Sequence, residues 1–563
     1  MVTPRETTGR PLGSGLLVGL ALTAALTALF FLGYRVAGLP FIPFDVFDWL
    51  TRVLPGRLII FGIDQMVAVL ELLGLNIKDT AKTAEHLQAV AGFLVTGALI
   101  GLVFFAFVRS ADRVRVWFYG LGAGLLMGSV VLVIVLTLNT SATAPRAVTV
   151  IWILFAFLGW GSSLSWSALR AGMPAERPLA AGPRLTGEGE TAQAEGALPA
   201  VSSFAADAGQ VVLIDRRRFL IRLGGATAAI TLVGTGLGAV VRTGEPTVEP
   251  PVAPPIPFPN ADSPVQPVPG TRPEYPPVAD HYRIDINTLP PNVDGAEWRL
   301  PVTGLVARPL TLTLDEIMAD YEPANQFVTL SCISNPVAGP LIGTTLWTGA
   351  RFRDVLEGAG VQSAAAYARV TSVDGFHETV PLDLVRSEPR IMLTYQWNGA
   401  PLPREHGYPL RIYIPDRYGM KQPKWITQID LTAEFVPGFW VARNWNQEAI
   451  MRATSVIDIV AVDDIIERDG AQFVPVGGIA HAGARSISQV EVQVDDGDWQ
   501  QATLRAPLSK MTWVIWRFEW PYQAGEHTFS VRCRDQEGNL QIAERSGTFP
   551  DGATGIHSRK ARL

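Results

Sequence analysis

Cysteine occurs at only two positions in 563 residues. One of them, Cys332, sits in "FVTLSCISNPVAGPLIGTTLWTG" (327–349), between a β-branched run and a loop rich in Gly and Pro. Two readings suit a lone thiol there: a small buried hydrophobe, or a thiolate ligand to a metal. The other, Cys533, alternates with Phe529 and Val531 in "HTFSVRCRDQEGN", the period of a half-buried strand, and reads as core. Two cysteines so far apart make no disulfide framework, and the chain has no C-x-x-C or C-x-x-C-H. No histidine falls between His86 and His281. That stretch cannot supply paired axial imidazoles to a haem, so electrons, if they move, must travel on a separate protein or a quinone.

The elements that would hold Cys332 are of mixed type. From 278 to 450, "FVTLS" and "LRIYIP" read as strands, and "TLDEIMADY" and "RFRDVLEGAG" as helices. Thr313, with Glu316 three residues on, forms a helix-starting capping box. This is an α+β domain. From 451 to 550 the pattern is all strand. "VEVQVDDGDWQQATL" reads as a hairpin, and "WVIWRFEW" places Trp516, Phe518 and Trp520 on one face. About a hundred residues of short strands predict an immunoglobulin-like sandwich, with a tail over 551–563.

Hydrophobic residues make up 48% of the chain and its mean hydropathy is positive, but the charges are unevenly placed. Residues 1–170 hold four runs, at 14–38, 87–108, 116–138 and 147–169, near the length of a membrane-crossing helix. Residues 216–242 form either a fifth crossing helix or, from Arg216-Arg217 in "DRRRFLIRLGG", an internal twin-arginine export signal. The stretch 57–75 carries Asp64 and Glu71 and reads as an interfacial helix. Arginines cluster before the first run, between the second and third, and after the fourth, which makes that side cytoplasmic. Arg52, Arg57, Lys78 and Lys82, in the loop between the first two runs, break the pattern. With five spans, everything after 242 faces the extracytoplasmic side. Residues 171–215 read as a flexible cytoplasmic linker, and 243–277 as a Pro-rich spacer. A net charge of -6, with no basic patch, argues against nucleic acid as a partner.

"VTLSCISNP", "LWTGARFRDVL" and "PLPREHGYPLRIYIPDRYGMKQPKWI" together resemble the molybdopterin-binding core of the sulfite oxidase family, over about 278–550 with the sandwich included. The resemblance implies a molybdenum–molybdopterin cofactor with Cys332 as the protein's ligand to the metal. A high-valent metal suits a soft thiolate, and the pterin brings its own dithiolene sulfurs, so one cysteine suffices. His406, Arg411 and Lys424 fall on the family's cofactor-binding positions, where a phosphate needs cationic donors. The loop "SVDGFHETVPL" brings Asp374 and His377 near the cofactor. The sandwich corresponds to the family's dimerisation domain and implies a homodimer.

The sequence departs from the sulfite-oxidising members in three places. Asn287 falls near the pocket where they carry an arginine, with Arg283 close in sequence but out of register. The loop after Cys332 has no arginine. Trp445 takes the place of a tyrosine near the metal. Arg485 is the remaining donor on offer. The expected function is a membrane-bound molybdenum oxidoreductase passing an oxygen atom to or from a small substrate of sulfite, sulfoxide or N-oxide type, with Cys332, Asn287 and Trp445 at the reacting centre. The alternative is a metal-free binding protein, or a structural subunit of a membrane complex, that retains the fold.

Overall fold

The computed structural model describes residues 12–56, 77–109, 111–138, 142–171, 216–240 and 257–563, with a few positions between 58 and 65. The chain divides into two compact units. One comprises residues 1–43, 90–133 and 144–243; the other comprises 44–89, 134–143 and 244–563.

In the first unit, the four expected runs are helices long and apolar enough to cross a membrane: Leu12–Ala37, Ile77–Phe107 (from Val90 on), Arg113–Thr137 and Arg146–Ala171. A fifth helix, Arg216–Val240, covers the Gly/Ala-rich run, but its apolar part, Ile221–Leu237, is shorter. Many large apolar side chains stay exposed, Phe118 and Phe155 among them, as they must if lipid rather than water is to cover them. Small residues let the backbones approach. A Cβ on Gly19 or Gly101 would strike the facing helix's backbone. The interfacial helix expected over 57–75, with Asp64 and Glu71, lies almost wholly outside the described residues, as do 172–215 and 241–256.

In the second unit, one five-stranded sheet runs Leu310–Leu312, Leu300–Gly304, Ile426–Thr432, Tyr367–Ser372, His377–Pro381. Leu300–Gly304 and Ile426–Thr432 pair in parallel; the other pairs are antiparallel. Helix Leu314–Asp320 begins at the expected Thr313–Glu316 capping box. It buries Ile317, and helix Phe352–Ala359 buries Phe352, Val355 and Leu356, all in one core with Val302, Val370 and Ile429. A second, antiparallel sheet runs Pro323–Ser331, Ile342–Arg351, Met392–Trp397, with Arg411–Tyr413 also on Met392–Trp397. Its own core joins Val328, Leu330, Cys332, Trp347, Met392 and Trp397. The expected strands and helices thus stand where the periodicity puts them.

The C-terminal part is two antiparallel sheets. One contains Thr454–Val460, Ala471–His481 and Val514–Pro521, the other Ile487–Val494, Glu526–Asp535 and His557–Arg562. Their shared core holds Trp516, Phe518, Trp520, Phe529, Val531 and Cys533, the faces that alternation marked. Two segments differ from expectation. The stretch 551–563 is no free tail, because His557–Arg562 adds a strand beside Glu526–Asp535; its residues, "HSRKAR", are polar, so alternation of apolar residues does not betray it. The Pro-rich stretch is no spacer over 257–277. There Arg272 pairs with Asp458 (2.8 Å), Glu274 pairs with Arg505 (3.0 Å), and Tyr275 packs on Phe327.

Candidate active site

Cys332 follows directly on strand Pro323–Ser331. Its N–H donates to Leu341 O (3.0 Å), and its carbonyl accepts from Asn335 N–H (3.1 Å). Asn335 Oδ1 in turn accepts from Leu341 N–H (2.8 Å). The Gly/Pro-rich loop is therefore tied back on itself, and the thiol is fixed at its base. The Sγ lies 3.0 Å from Ser334 Oγ. Burial pushes the thiol up from its ordinary value, with the Ser334 hydroxyl opposing. A bound cation is what would turn such a thiol into a thiolate.

Cys332 lines a cavity, and so do His406, Arg411 and Lys424. His406 closes the short turn Arg404–His406. Gly407 follows at φ +115°, which L side chains rarely adopt, and a Cβ there would sit 3.2 Å from both Arg411 Cβ and Lys424 Cβ. The glycine lets all three side chains converge. Burial, then His281 and Lys424, hold His406 well below the usual imidazole value, so it is neutral. Arg411 is buried, stacks 4.6 Å over Trp347 and donates to His406 O (3.1 Å). Burial lowers it to about 10, which leaves it charged at neutral pH. Lys424 donates to Asp285 Oδ2 (3.2 Å) and Glu405 O (3.1 Å), and burial lowers it to about 8.

Sequence reasoning set Arg283 aside as out of register, yet the structure puts it in the cavity wall. Its Nε donates to Asp285 Oδ2 (3.0 Å). Burial alone would raise the Asp285 carboxyl, but Lys424, Lys82 and Arg283 overturn that and hold it far below the usual carboxylate range. Arg283 Nη2 and Arg411 Nε are buried with no protein hydrogen-bond partner. Orphaned cationic donors inside a protein are costly unless an acceptor arrives. The donor set therefore fits an anionic group such as a phosphate. Among the described residues no cluster of three His, Cys, Asp or Glu side chains could hold a metal ion alone. A metal that brings its own ligands and needs one thiolate fits these residues.

The cavity wall also has an apolar and aromatic part: Ile333, Phe376, Met420, Trp440 and Trp445. Trp445 is buried at 8% exposure, and its Nε1 has no protein partner. Asp374 also lines the cavity; its carboxylate accepts from Phe376 N–H (3.0 Å) and Asn287 Nδ2 (2.6 Å). Asn287 does not line it. Its amide bonds Asp374 on one side and Arg52 Nη2 (2.7 Å) on the other, so it is placed to position neighbours. His377 is not in the cavity wall, and its Nδ1 lies 3.2 Å from Gly375 O. Arg485 is spent: it binds Asp416 (2.5 Å), Asp535 (3.1 Å) and Met451 O (2.6 Å).

Residues 285–288 are gripped by a segment far away in sequence. Arg52, in helix Ile42–Val53, reaches Asn287; Asp48 of the same helix accepts from Thr288 N–H (2.9 Å). Lys82 donates to Asn287 O (2.7 Å), and His86 Nε2 lies 3.0 Å from Thr288 O. No sequence motif pointed here. The one signal was that Arg52 and Lys82 broke the arginine and lysine bias of the membrane loops.

A family profile described as "Oxidoreductase molybdopterin binding domain" matches residues 287–440. The chain is 28% identical over 301 residues to the mitochondrial sulfite oxidase of Homo sapiens, covering 46% of this chain and 55% of that one. It is 27% identical over 328 residues to an NAD(P)H nitrate reductase of Hordeum vulgare, covering 47% and 36%. The chain thus spans about half the length of the first relative and about a third of the second. Among solved structures, a sulfane dehydrogenase of Paracoccus pantotrophus aligns at 20% identity and a TM-score of 0.43, over 49% of this chain and 78% of that one.

Proposed function

Since residues 287–440 are a molybdopterin-binding oxidoreductase domain of the sulfite oxidase family, we propose that the whole chain is a molybdenum-dependent oxidoreductase that moves an oxygen atom to or from a small neutral substrate. One observation carries the reading: the single fixed thiol of Cys332 shares a cavity with His406, Arg411, Lys424 and Arg283. Cys332 is the metal ligand. His406, Arg411 and Lys424 hold the pterin's anionic end, and Asp374 shapes the wall beside them. When bound, the cofactor supplies a metal that cycles between oxidised and reduced forms while an oxygen atom is transferred.

The chain's own part is to orient and select. Asp285 pairs with Lys424 and Arg283, while Trp440, Trp445, Met420 and Phe376 give the cavity an uncharged stretch of wall. A dianion such as sulfite wants clustered positive charge at the reacting end. Arg485, the one donor expected there, is engaged by Asp416 and Asp535. A sulfoxide or N-oxide needs only an apolar wall and a hydrogen-bond donor for its oxygen. Trp445 Nε1 can be that donor.

The remaining assignments belong to the same proposal. The catalytic unit faces the extracytoplasmic side, as the arginine bias of the loops favours. A separate electron carrier or a quinone couples to it. The two-sheet C-terminal part is an immunoglobulin-like module that pairs two copies. A screen of sulfite against sulfoxides and N-oxides, with redox dyes as electron partners, tests the substrate assignment. Turnover of a sulfoxide or N-oxide supports it; turnover of sulfite alone contradicts it.

A further inference from the structure

Lys82 lies outside the molybdopterin-binding domain, which the family match places at 287–440. It stands at the start of the second membrane-length apolar stretch, Lys82–Phe107. Even so, its Nζ reaches the carboxylate at the base of the cavity's cations. Lys82 Nζ is 3.4 Å from Asp285 Oδ1, 2.7 Å from Asn287 O and 2.8 Å from Glu85 Oε2. The other oxygen, Asp285 Oδ2, takes Lys424 Nζ (3.2 Å) and Arg283 Nε (3.0 Å). Asp285 is therefore divided. One oxygen faces the cations that line the cavity, and the other faces Lys82.

The charges decide what this does. Asp285 alone would offset one of the two cavity cations it pairs with, Lys424 and Arg283; Arg411 is a third in the lining. Lys82 brings a further positive charge to the same carboxylate, moderated by Glu85. A phosphate monoester carries roughly -1.5 to -2 charges at neutral pH, so one cation more or less in the cluster matters to its hold. We propose that Lys82 is a positioning residue for the cofactor's anionic group: by sharing Asp285 it leaves Lys424 and Arg283 free to donate into the cavity. The contacts of Arg52, Asp48 and His86 with residues 287 and 288 keep that stretch in reach of it. The segment joining the first two apolar helices thus belongs to the cofactor site, beyond any service as an anchor. The inference rests on the cofactor assignment made above.

The test uses the full chain, purified in detergent from a host that makes the cofactor. Pterin is released by oxidation and measured by its fluorescence, per chain, before and after prolonged dialysis. Wild type retains its pterin. Lys82→Met loses it about tenfold more readily, a change in the range seen for residues that share one charge network. Lys82→Arg restores retention. The double variant Lys82→Met/Asp285→Asn retains more than Lys82→Met alone, because removing the carboxylate gives the lost charge back. A purely structural role for Lys82 makes the double variant worse than either single one, and that result overturns the proposal. So does a Lys82→Met chain that holds pterin as wild type does. If wild type itself carries no pterin, the cofactor assignment falls and this proposal falls with it; loaded wild type with an equally loaded Lys82→Met removes only the role of Lys82.

Discussion

Arg52 Nη2 donates to Asn287 Oδ1 at 2.7 Å across 235 residues of sequence. Asn287 Nδ2 passes the link on to Asp374 Oδ2 at 2.6 Å, and Asp374 lines the same cavity as Cys332. A side chain from the loop between two apolar helices therefore sets the wall of the candidate active site.

Arg52→Leu removes the charged donor to two acceptors, Asn287 Oδ1 and the Asp374 carbonyl. Hydrogen bonds from charged groups are worth about 1.5–3 kcal/mol, and here the acceptors are left buried. Thermal unfolding of the second unit, followed in the full chain, should shift down accordingly. Arg52→Lys should recover part of the loss. An unchanged melting temperature for Arg52→Leu would mean that the wall stands without it.

Cys332→Ser should leave the fold largely intact and abolish oxygen transfer. The thiol packs in a closed loop whose backbone bonds, Cys332 N–H to Leu341 O among them, do not depend on sulfur. The hard hydroxyl is a poor replacement for a soft thiolate. Circular dichroism checks the fold, and turnover with an artificial electron donor checks the site. Unchanged turnover in the serine variant would remove Cys332 as ligand.

Lys424 gives a pH signature with two opposite slopes. Burial, opposed by Asp285, lowers it from 10.5 to about 8. Between those values the unfolded chain binds more protons than the folded one, so stability of the cofactor-free chain rises with pH there. The cost of the buried charge is fully present below about 8 and is relieved towards 10.5. Cofactor retention runs the other way, since an anionic group binds the charged lysine and loosens as pH climbs past about 8. Denaturant unfolding and pterin retention, each measured against pH, check both slopes. Lys424→Met should flatten both.

Trp445→Phe keeps the aromatic wall and deletes Nε1, the buried donor without a protein partner. Losing one hydrogen bond to a substrate oxygen should cost kcat/KM for a neutral oxygen donor about tenfold. Trp445→Arg should shift preference towards anionic substrates. Equal kcat/KM for wild type and Trp445→Phe would take the indole out of substrate binding.

The sequence made the local elements legible because periodicity reports burial directly. The faces of Trp516, Phe518 and Trp520, and of Phe529, Val531 and Cys533, are buried as alternation requires. Ordered motifs likewise brought Cys332, His406, Arg411 and Lys424 to one cavity. What stayed hidden was long-range pairing of charge. Arg52 and Lys82 looked like loop cations on the wrong side of a topology rule, because their partners at 285 and 287 lie over two hundred residues away. Register counted from a motif could not show that the Arg283 guanidinium pairs with Asp285 in the cavity wall. Asn287 was placed near the pocket by the same count; it stands outside the cavity lining, bonded to Arg52 and Asp374.

The central claim is that Cys332 and the cations around Asp285 hold a molybdenum–pterin cofactor. Molybdenum and pterin quantified together in the purified full chain, from a host that loads a control molybdoenzyme, test it most directly. Equimolar metal and pterin per chain are expected, with both reduced together in Arg411→Met. A wild-type chain free of both, beside a loaded control, would contradict it.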